Sequence, residues 1–236
     1  MTVAVILAGG LGTRLRSAVP DLPKPMADVL GKPFLEYLMD YWIGQGVTRF
    51  VISVGYKRES IMRYFGQQYK GIPIEYVEEE TPLGTGGGLL LAARRLNEPF
   101  LLLNGDTFFE IQLDALMDFH RSKDSKWTFA LFRANEAKRY GGVQLDSNSR
   151  IQSLVTGKGN IGELANGGIY LVEPNALNAG KFNVGQKYSL EDDVIPGLLE
   201  SGVPFYGFES PGQFLDIGIP ADYFRAADIL PKLRDH

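Results

Sequence analysis

The sequence predicts an α/β fold, a parallel sheet with helices packed on both faces. Three observations carry that expectation. Four short runs rich in branched apolar residues recur through the first half: VAVIL (3–7), RFVISV (49–54), IEYV (74–77) and FLLL (100–103). Near-continuous apolar runs of this length suit strands buried on both sides. Between them lie segments whose apolar residues recur at helical spacing.

In chain order, the first strand runs into Ala8-Gly9-Gly10. Phe34, Tyr37, Leu38, Tyr41 and Trp42 then form one helical stripe, which stops at Gly44 and Gly46. Ile61, Met62, Tyr64 and Phe65 mark a second helix, and Leu89 to Leu96 a third. The second half is richer in strand, with WTFALFR (127–133), GGVQLD (141–146), RIQSLV (150–155) and GGIYLV (167–172); helices return at 189–201 and 220–230. No linker rich in Pro, Ser or charge breaks the chain. One domain over 1–236 is expected, with a first half to about 125 and a second half from about 126 that completes a pocket. His120, in LMDFHRSKD, is expected to cap a helix end or sit on a solvated face.

Composition narrows the chemistry. A hydrophobic content of 44% and a charged content of 22% are those of a globular protein. The net charge of −4 argues against nucleic-acid or anionic-membrane partners. The absence of cysteine excludes disulfides, thiol catalysis and cysteine zinc sites. With His120 and His236 as the two histidines, a serine–histidine triad or a histidine-rich metal site is disfavoured. No run approaches the ~20 apolar residues of a membrane span, and the apolar start has no cationic leader, so a cytoplasmic protein is expected. Carboxylates, lysines, arginines and backbone amides remain to do the work.

The segment LAGGLGTRL (7–15) follows a buried strand, at the sheet edge where α/β proteins bind ligands. Gly9, Gly10 and Gly12 leave backbone N–H groups open to phosphate oxygens, and Arg14 adds a bidentate donor. A tight turn without a ligand explains the glycines alone equally well. Lys24, between two prolines in LPKPM (22–26), is held on a stiff segment as a positioned cation. Asp106 ends LLLNGD and Asp216 follows a short apolar run in FLDIGIP. Taken singly each is a cap or turn residue; together with phosphates they suit Mg²⁺, which takes one or two protein carboxylates. Gly157-Lys158-Gly159-Asn160-Ile161-Gly162 satisfies G-x-G-x-x-G but leads into a strand, so it is read as a decoy.

These pieces, in this order, resemble the sugar-1-phosphate nucleotidylyltransferases, or sugar-nucleotide pyrophosphorylases. The similarity runs through Leu7–Gly10, Gly12–Leu15, Pro23–Met26, Leu83–Gly87, Asn104–Asp106, Asn166–Tyr170 and Asp216–Gly218. It implies a Rossmann-like three-layer α/β nucleotide-diphospho-sugar transferase fold with a mixed, mainly parallel central sheet. The reaction it implies joins NTP and a sugar 1-phosphate into NDP-sugar and pyrophosphate, with Mg²⁺ as cofactor. The implied catalytic set is Arg14, Lys24, Asp106 and Asp216, with Mg²⁺ on the two aspartates. The implied nucleotide contacts are Leu7, Ala8, Gly9, Gly10, Gly12, Thr13, Arg14, Lys24, Glu79, Pro82, Gly84, Thr85, Asn104, Gly105 and Asp106. Tyr140, Gly141, Lys158, Asn166, Gly167 and Glu191 resemble the sugar-phosphate contacts. Gly157 stands before Lys158 where the family usually carries Glu, which leaves the role of that lysine open.

YVEEETPLGTGG (76–87) resembles the base-recognition segment. A carboxylate there accepts from guanine N1–H and N2–H₂ together, whereas uracil and thymine present carbonyls that it repels. Glu79 is chosen by its offset before Gly84, with Glu78 and Glu80 as rivals and a solvated acidic turn as the plain alternative. NGDTFFEI, EETPLGTGG and the compact length are most similar to the branch that pairs GTP with D-glycero-α-D-manno-heptose 1-phosphate for bacterial surface polysaccharides. Mannose guanylyltransferases, and uridylyl- or thymidylyltransferases of glucose or muramate phosphates, are the neighbouring alternatives. Regulatory family members that bind a sugar nucleotide without catalysis usually lose members of the catalytic set, which is complete here. A homo-oligomer is left open.

Overall fold

Runs of buried apolar residues at the four expected places become the parallel centre of one sheet. The computed structural model describes all residues except 1, 11, 13, 14, 16–18, 20, 137, 156–158 and 232–236. The expectations on Thr13, Arg14 and Lys158 therefore lie outside the described residues. In chain order the strands are β1 (Thr2–Leu7), β2 (Asp28–Val29), β3 (Lys32–Pro33), β4 (Val47–Val54), β5 (Gln68–Tyr69), β6 (Ile72–Glu78), β7 (Phe100–Asn104), β8 (Thr107–Phe109), β9 (Trp127–Arg133), β10 (Gly142–Leu145), β11 (Ile151–Val155), β12 (Leu164–Val172), β13 (Phe205–Glu209) and β14 (Phe214–Asp216). The α-helices are α1 (Phe34–Gly44), α2 (Arg58–Phe65), α3 (Gly84–Ala93), α4 (Leu113–Ser122), α5 (Ile195–Glu200) and α6 (Pro220–Ile229).

Along the path β6-β4-β1-β7-β12-β9-β13, β12 alone runs against the others, which makes the sheet mixed and mainly parallel. Leu7, at the end of β1, is in register with Ser53 on one side and Asn104 on the other. The chain reaches those neighbours in opposite directions, so a crevice opens at the carboxyl ends of β1 and β7. The side-chain period of two sends Val3, Val5 and Leu7 into a core with Leu89, Leu90 and Ala92 of α3. Ala4 and Ile6 enter the opposite core, with Phe34, Leu38 and Trp42 of α1 and Ile61 and Phe65 of α2. These are the three layers. Among the described residues no helix is long and apolar enough to cross a membrane.

Three expectations need correction. The third helix begins at Gly84 rather than Leu89 and ends at Ala93. Glycine disfavours helix, but residues 186–190 lie directly on this turn. Gly86 and Gly87 donate N–H bonds to the Tyr188 carbonyl at 2.9 and 3.2 Å, and a Cβ on Gly86 would stand 2.6 Å from Val194 Cγ2. Helix 189–201 likewise resolves into a π-helical turn, Leu190–Val194, followed by α5. His120 is buried, neither a cap nor solvated. Its Nδ1 is 2.8 Å from Thr128 Oγ1, and burial pulls its pKa from 6.5 down to about 4. Its partner comes from β9, which the local pattern around His120 does not reveal.

Candidate active site

The crevice between β1 and β7 is a cavity of about 560 Å³. Its first wall is the chain that leaves β1, where Ala8 N–H is anchored on the Ser53 carbonyl at 2.9 Å. Leu7, Ala8, Gly9, Gly10, Gly12, Lys24, Glu79, Pro82, Gly84, Thr85, Asn104, Gly105 and Asp106 all line it, joined from the second half by Glu191 and Asp216.

Lys24 sits in a 3₁₀ turn, Lys24–Met26, entered through Pro23 with φ −66°. Its Nζ meets Asp106 Oδ2 at 2.7 Å. Asp216 arrives on β14, which pairs antiparallel with β8 so that Asp216 stands opposite Thr107, the residue after Asp106. Gly218 donates its N–H to Asp216 Oδ1 at 2.6 Å, and a Cβ on Gly218 would lie 3.2 Å from Lys24 Nζ. Burial, and then the charge of Asp106, raise the pKa of Asp216, while Lys24 and Arg139 pull it down. Glu191 is also held above the ordinary carboxylate range, chiefly by burial, and accepts from Thr85 Oγ1 at 3.3 Å. Lys24, Asp106, Glu191 and Asp216, from four distant stretches, thus face one cavity. Among the described residues no group of three or more acidic or histidine side chains is placed to hold a metal.

Of the three consecutive glutamates, the structure brings Glu79 into the cavity wall. Glu78 turns outward to Arg58, at 3.2 Å, and Glu80 is exposed. Glu79 is 7% exposed; its Oε1 accepts from Ser53 Oγ at 3.0 Å and its Oε2 from Leu83 N–H at 2.9 Å. The carboxylate fits because Gly9 has no side chain: a Cβ there would stand 2.3 Å from Oε1.

Four of the expected sugar contacts are not part of the lining. Tyr140 packs edge-on against Phe132 and Phe214, beneath the Arg139 guanidinium at 4.9 Å. Gly141 lies in the same loop, against Gly159. Asn166 donates to Tyr170 Oη at 2.7 Å, and Gly167 makes room for the Phe109 ring, which a Cβ would approach to 2.4 Å. Pro25, Thr107 and Lys187 line the cavity without having been singled out. Lys187 is carried there by the segment lying on α3, fixed by Tyr188 N–H to the Leu83 carbonyl at 2.9 Å. The glycine run 84–88, which asks for a backbone neighbour, is the sequence signal for that segment.

A model of the nucleotidyl transferase family matches residues 3–232. The chain belongs to this family. Among nucleotidyl transferases, the D-glycero-alpha-D-manno-heptose 1-phosphate guanylyltransferase of Aneurinibacillus thermoaerophilus is 41% identical over 229 residues, covering 94% of this chain and 96% of its own. The enzyme of the same name from Campylobacter jejuni is 38% identical over 221 residues, with coverages of 94% and 96%. The crystal structure of HddC from Yersinia pseudotuberculosis complexed with GMP-PN matches with a TM-score of 0.84 at 33% identity, over 97% of this chain and 99% of that one. The resemblance read from the motifs is borne out in family and fold, and the protein is a nucleotidyltransferase enzyme.

Proposed function

We propose that the protein transfers GMP from GTP to D-glycero-α-D-manno-heptose 1-phosphate, releasing pyrophosphate and the GDP-sugar. The observation that carries this reading is the convergence of Lys24, Asp106 and Asp216 beside the glycine turn, with Glu79 buried in the same wall. A phosphate oxygen of the sugar 1-phosphate attacks the α-phosphorus of GTP in line, and pyrophosphate leaves. The nucleophile is already ionised, so no general base is required. What the protein must supply is placement of two polyanions and neutralisation of their charge. Lys24 supplies that charge at the reacting phosphates, and Gly9 and Gly10 offer backbone N–H groups. Lys187 brings a second cation to the wall.

Asp106 and Asp216 fit Mg²⁺. They are two carboxylates brought together from the turn after β7 and from the end of β14, and the charge of Asp106 raises the pKa of Asp216. Mg²⁺ commonly takes one or two protein carboxylates, with phosphates and water completing its shell. When bound, the ion screens the α-phosphate and the departing pyrophosphate. Glu79 would read the base. A carboxylate has about four acceptor sites; Ser53 and Leu83 use two, leaving acceptors for guanine N1–H and N2–H₂.

The test is a pyrophosphate-release matrix of four NTPs against a panel of sugar 1-phosphates, with and without Mg²⁺. GTP with the heptose phosphate and Mg²⁺ should be turned over best, and Glu79→Gln should narrow the GTP preference over UTP about tenfold. Release from no sugar phosphate, or a wild-type preference for UTP, would overturn the reading.

A further inference from the structure

Lys24 and Asp106 form an ion pair in the cavity, with Nζ 2.7 Å from Oδ2. The lysine is the more enclosed of the two, its side chain 13% exposed against 29% for Asp106. The second carboxylate is beside them. A Cβ on Gly218 would lie 2.6 Å from Asp216 Oδ1 and 3.2 Å from Lys24 Nζ, so the ammonium and Asp216 border the same small space. One cation of the chain thus lies against Asp106 and next to Asp216, the two residues proposed to hold Mg²⁺.

That placement works against a divalent ion. Mg²⁺ on one or two protein carboxylates depends on their negative charge. Here an ammonium in hydrogen-bond contact already neutralises one of the two, and like charges a few ångströms apart repel more strongly in a cavity than in bulk water. Among the described residues no group of three or more acidic or histidine side chains is placed to hold a metal, so no third carboxylate makes up the charge. A triphosphate changes the balance. Its oxygens offer negative charge to the ion and a second partner to the lysine. The Lys24 backbone is fixed in its turn after Pro23, with Ala27 N–H on the Lys24 carbonyl at 2.9 Å. The lysine stem lies along the glycine turn, where a Cβ on Gly12 would stand 2.9 Å from Cγ. Rotation about the flexible stem alone therefore carries the ammonium from Asp106 toward a phosphate held by that turn.

We infer that Lys24 is an internal counter-ion that holds the Asp106–Asp216 pair against Mg²⁺ until a nucleotide draws it away, so that the ion and the triphosphate enter together. This rests on the proposed reaction and its Mg²⁺ site, and adds an order of binding to them. Nucleotide and ion must then strengthen each other's binding by the same factor, and Lys24 is part of that coupling.

The test uses Mn²⁺ as the probe ion, with free Mn²⁺ measured by electron paramagnetic resonance and no nucleotide present. The wild type should bind Mn²⁺ at least ~10-fold more weakly than Lys24→Met, which keeps the stem and removes the charge. Adding Asp106→Asn to Lys24→Met should abolish the gain. Mg²⁺ should also raise the Tm of Lys24→Met by more than it raises that of the wild type. None of these readouts needs turnover. Equal Mn²⁺ affinities of the wild type and Lys24→Met overturn the inference, as does a gain that survives Asp106→Asn. If the wild type with a non-hydrolysable GTP analogue takes up no more Mn²⁺ than the analogue binds by itself, the proposed Mg²⁺ site fails first. Uptake with the analogue, together with equal affinities in its absence, refutes this inference alone.

Discussion

Replacing Gly9 by alanine should cost about 3 kcal/mol of stability, although alanine is the smallest possible addition. The new Cβ would stand 2.3 Å from Glu79 Oε1 and 2.9 Å from its Cδ. Ordinary contact begins near 3.4 Å, so the carboxylate must retreat by about 1 Å. It is not free to do so, because Ser53 Oγ holds one oxygen and Leu83 N–H the other. Hydrogen bonds to charged groups contribute about 1.5–3 kcal/mol each, and a buried carboxylate that loses one stays desolvated. Losing one bond and straining the other gives the figure of about 3 kcal/mol. For a chain of this size that lowers the melting temperature by about 6–12 °C. Urea unfolding of Gly9→Ala, Glu79→Ser and the double variant measures it directly. Shortening residue 79 should absorb most of the alanine penalty, a coupling of about 3 kcal/mol in the double-mutant cycle. Strictly additive effects, or a loss below about 0.5 kcal/mol for Gly9→Ala, would show that the carboxylate does not occupy that space.

Two further outcomes follow from the same geometry. Lys24→Ala and Asp106→Asn should each cut kcat at least ~100-fold while unfolding within a few degrees of the wild type, since in the proposed reaction both act mainly on the transition state; near-normal turnover of either, in the pyrophosphate assay, removes it from the proposed catalytic set. Buried His120 titrates at about 4 in the fold against 6.5 when unperturbed, so as pH falls the unfolded chain binds this proton first. Its neutral-form contribution is complete above pH 6.5 and is lost progressively down to about pH 4, a deficit of about 2 kcal/mol at pH 5. Urea midpoints of the wild type should therefore fall between pH 7 and 5 by more than those of His120→Gln, and equal falls would refute the assignment.

The parts that were legible in the sequence are those whose cause is local. β1, β4 and β7 announce themselves because strands buried on both faces must be apolar throughout. Asp106 and Asp216 are visible as carboxylates just past apolar runs, and Lys24 as a cation between two prolines. Parts whose cause lies across the fold were not. β13 escapes because Gly207 interrupts it, and that glycine exists because a Cβ would meet Leu131 Cδ1 at 2.4 Å. Lys187 looks like any solvated lysine until Tyr188 pairs with Leu83. Thr107 faces Asp216 only when β14 closes on β8.

The glycines join these two classes. In the sequence they read as openings for a ligand, and in the structure many are the imprint of a neighbour already present. Gly9 and Gly88 leave room for the Glu79 carboxylate, and Gly86 and Gly87 for the backbone of 186–190. Gly10 differs: among the described residues a Cβ added there meets nothing within 4 Å, although the residue lines the cavity. The opening motif therefore contains two kinds of glycine, one that makes room for a neighbouring side chain and one that, among the described residues, borders only the open cavity. Alanine should separate them, because at Gly9 it strains the fold, whereas at Gly10 it meets, among the described residues, only the space that the proposed triphosphate would take.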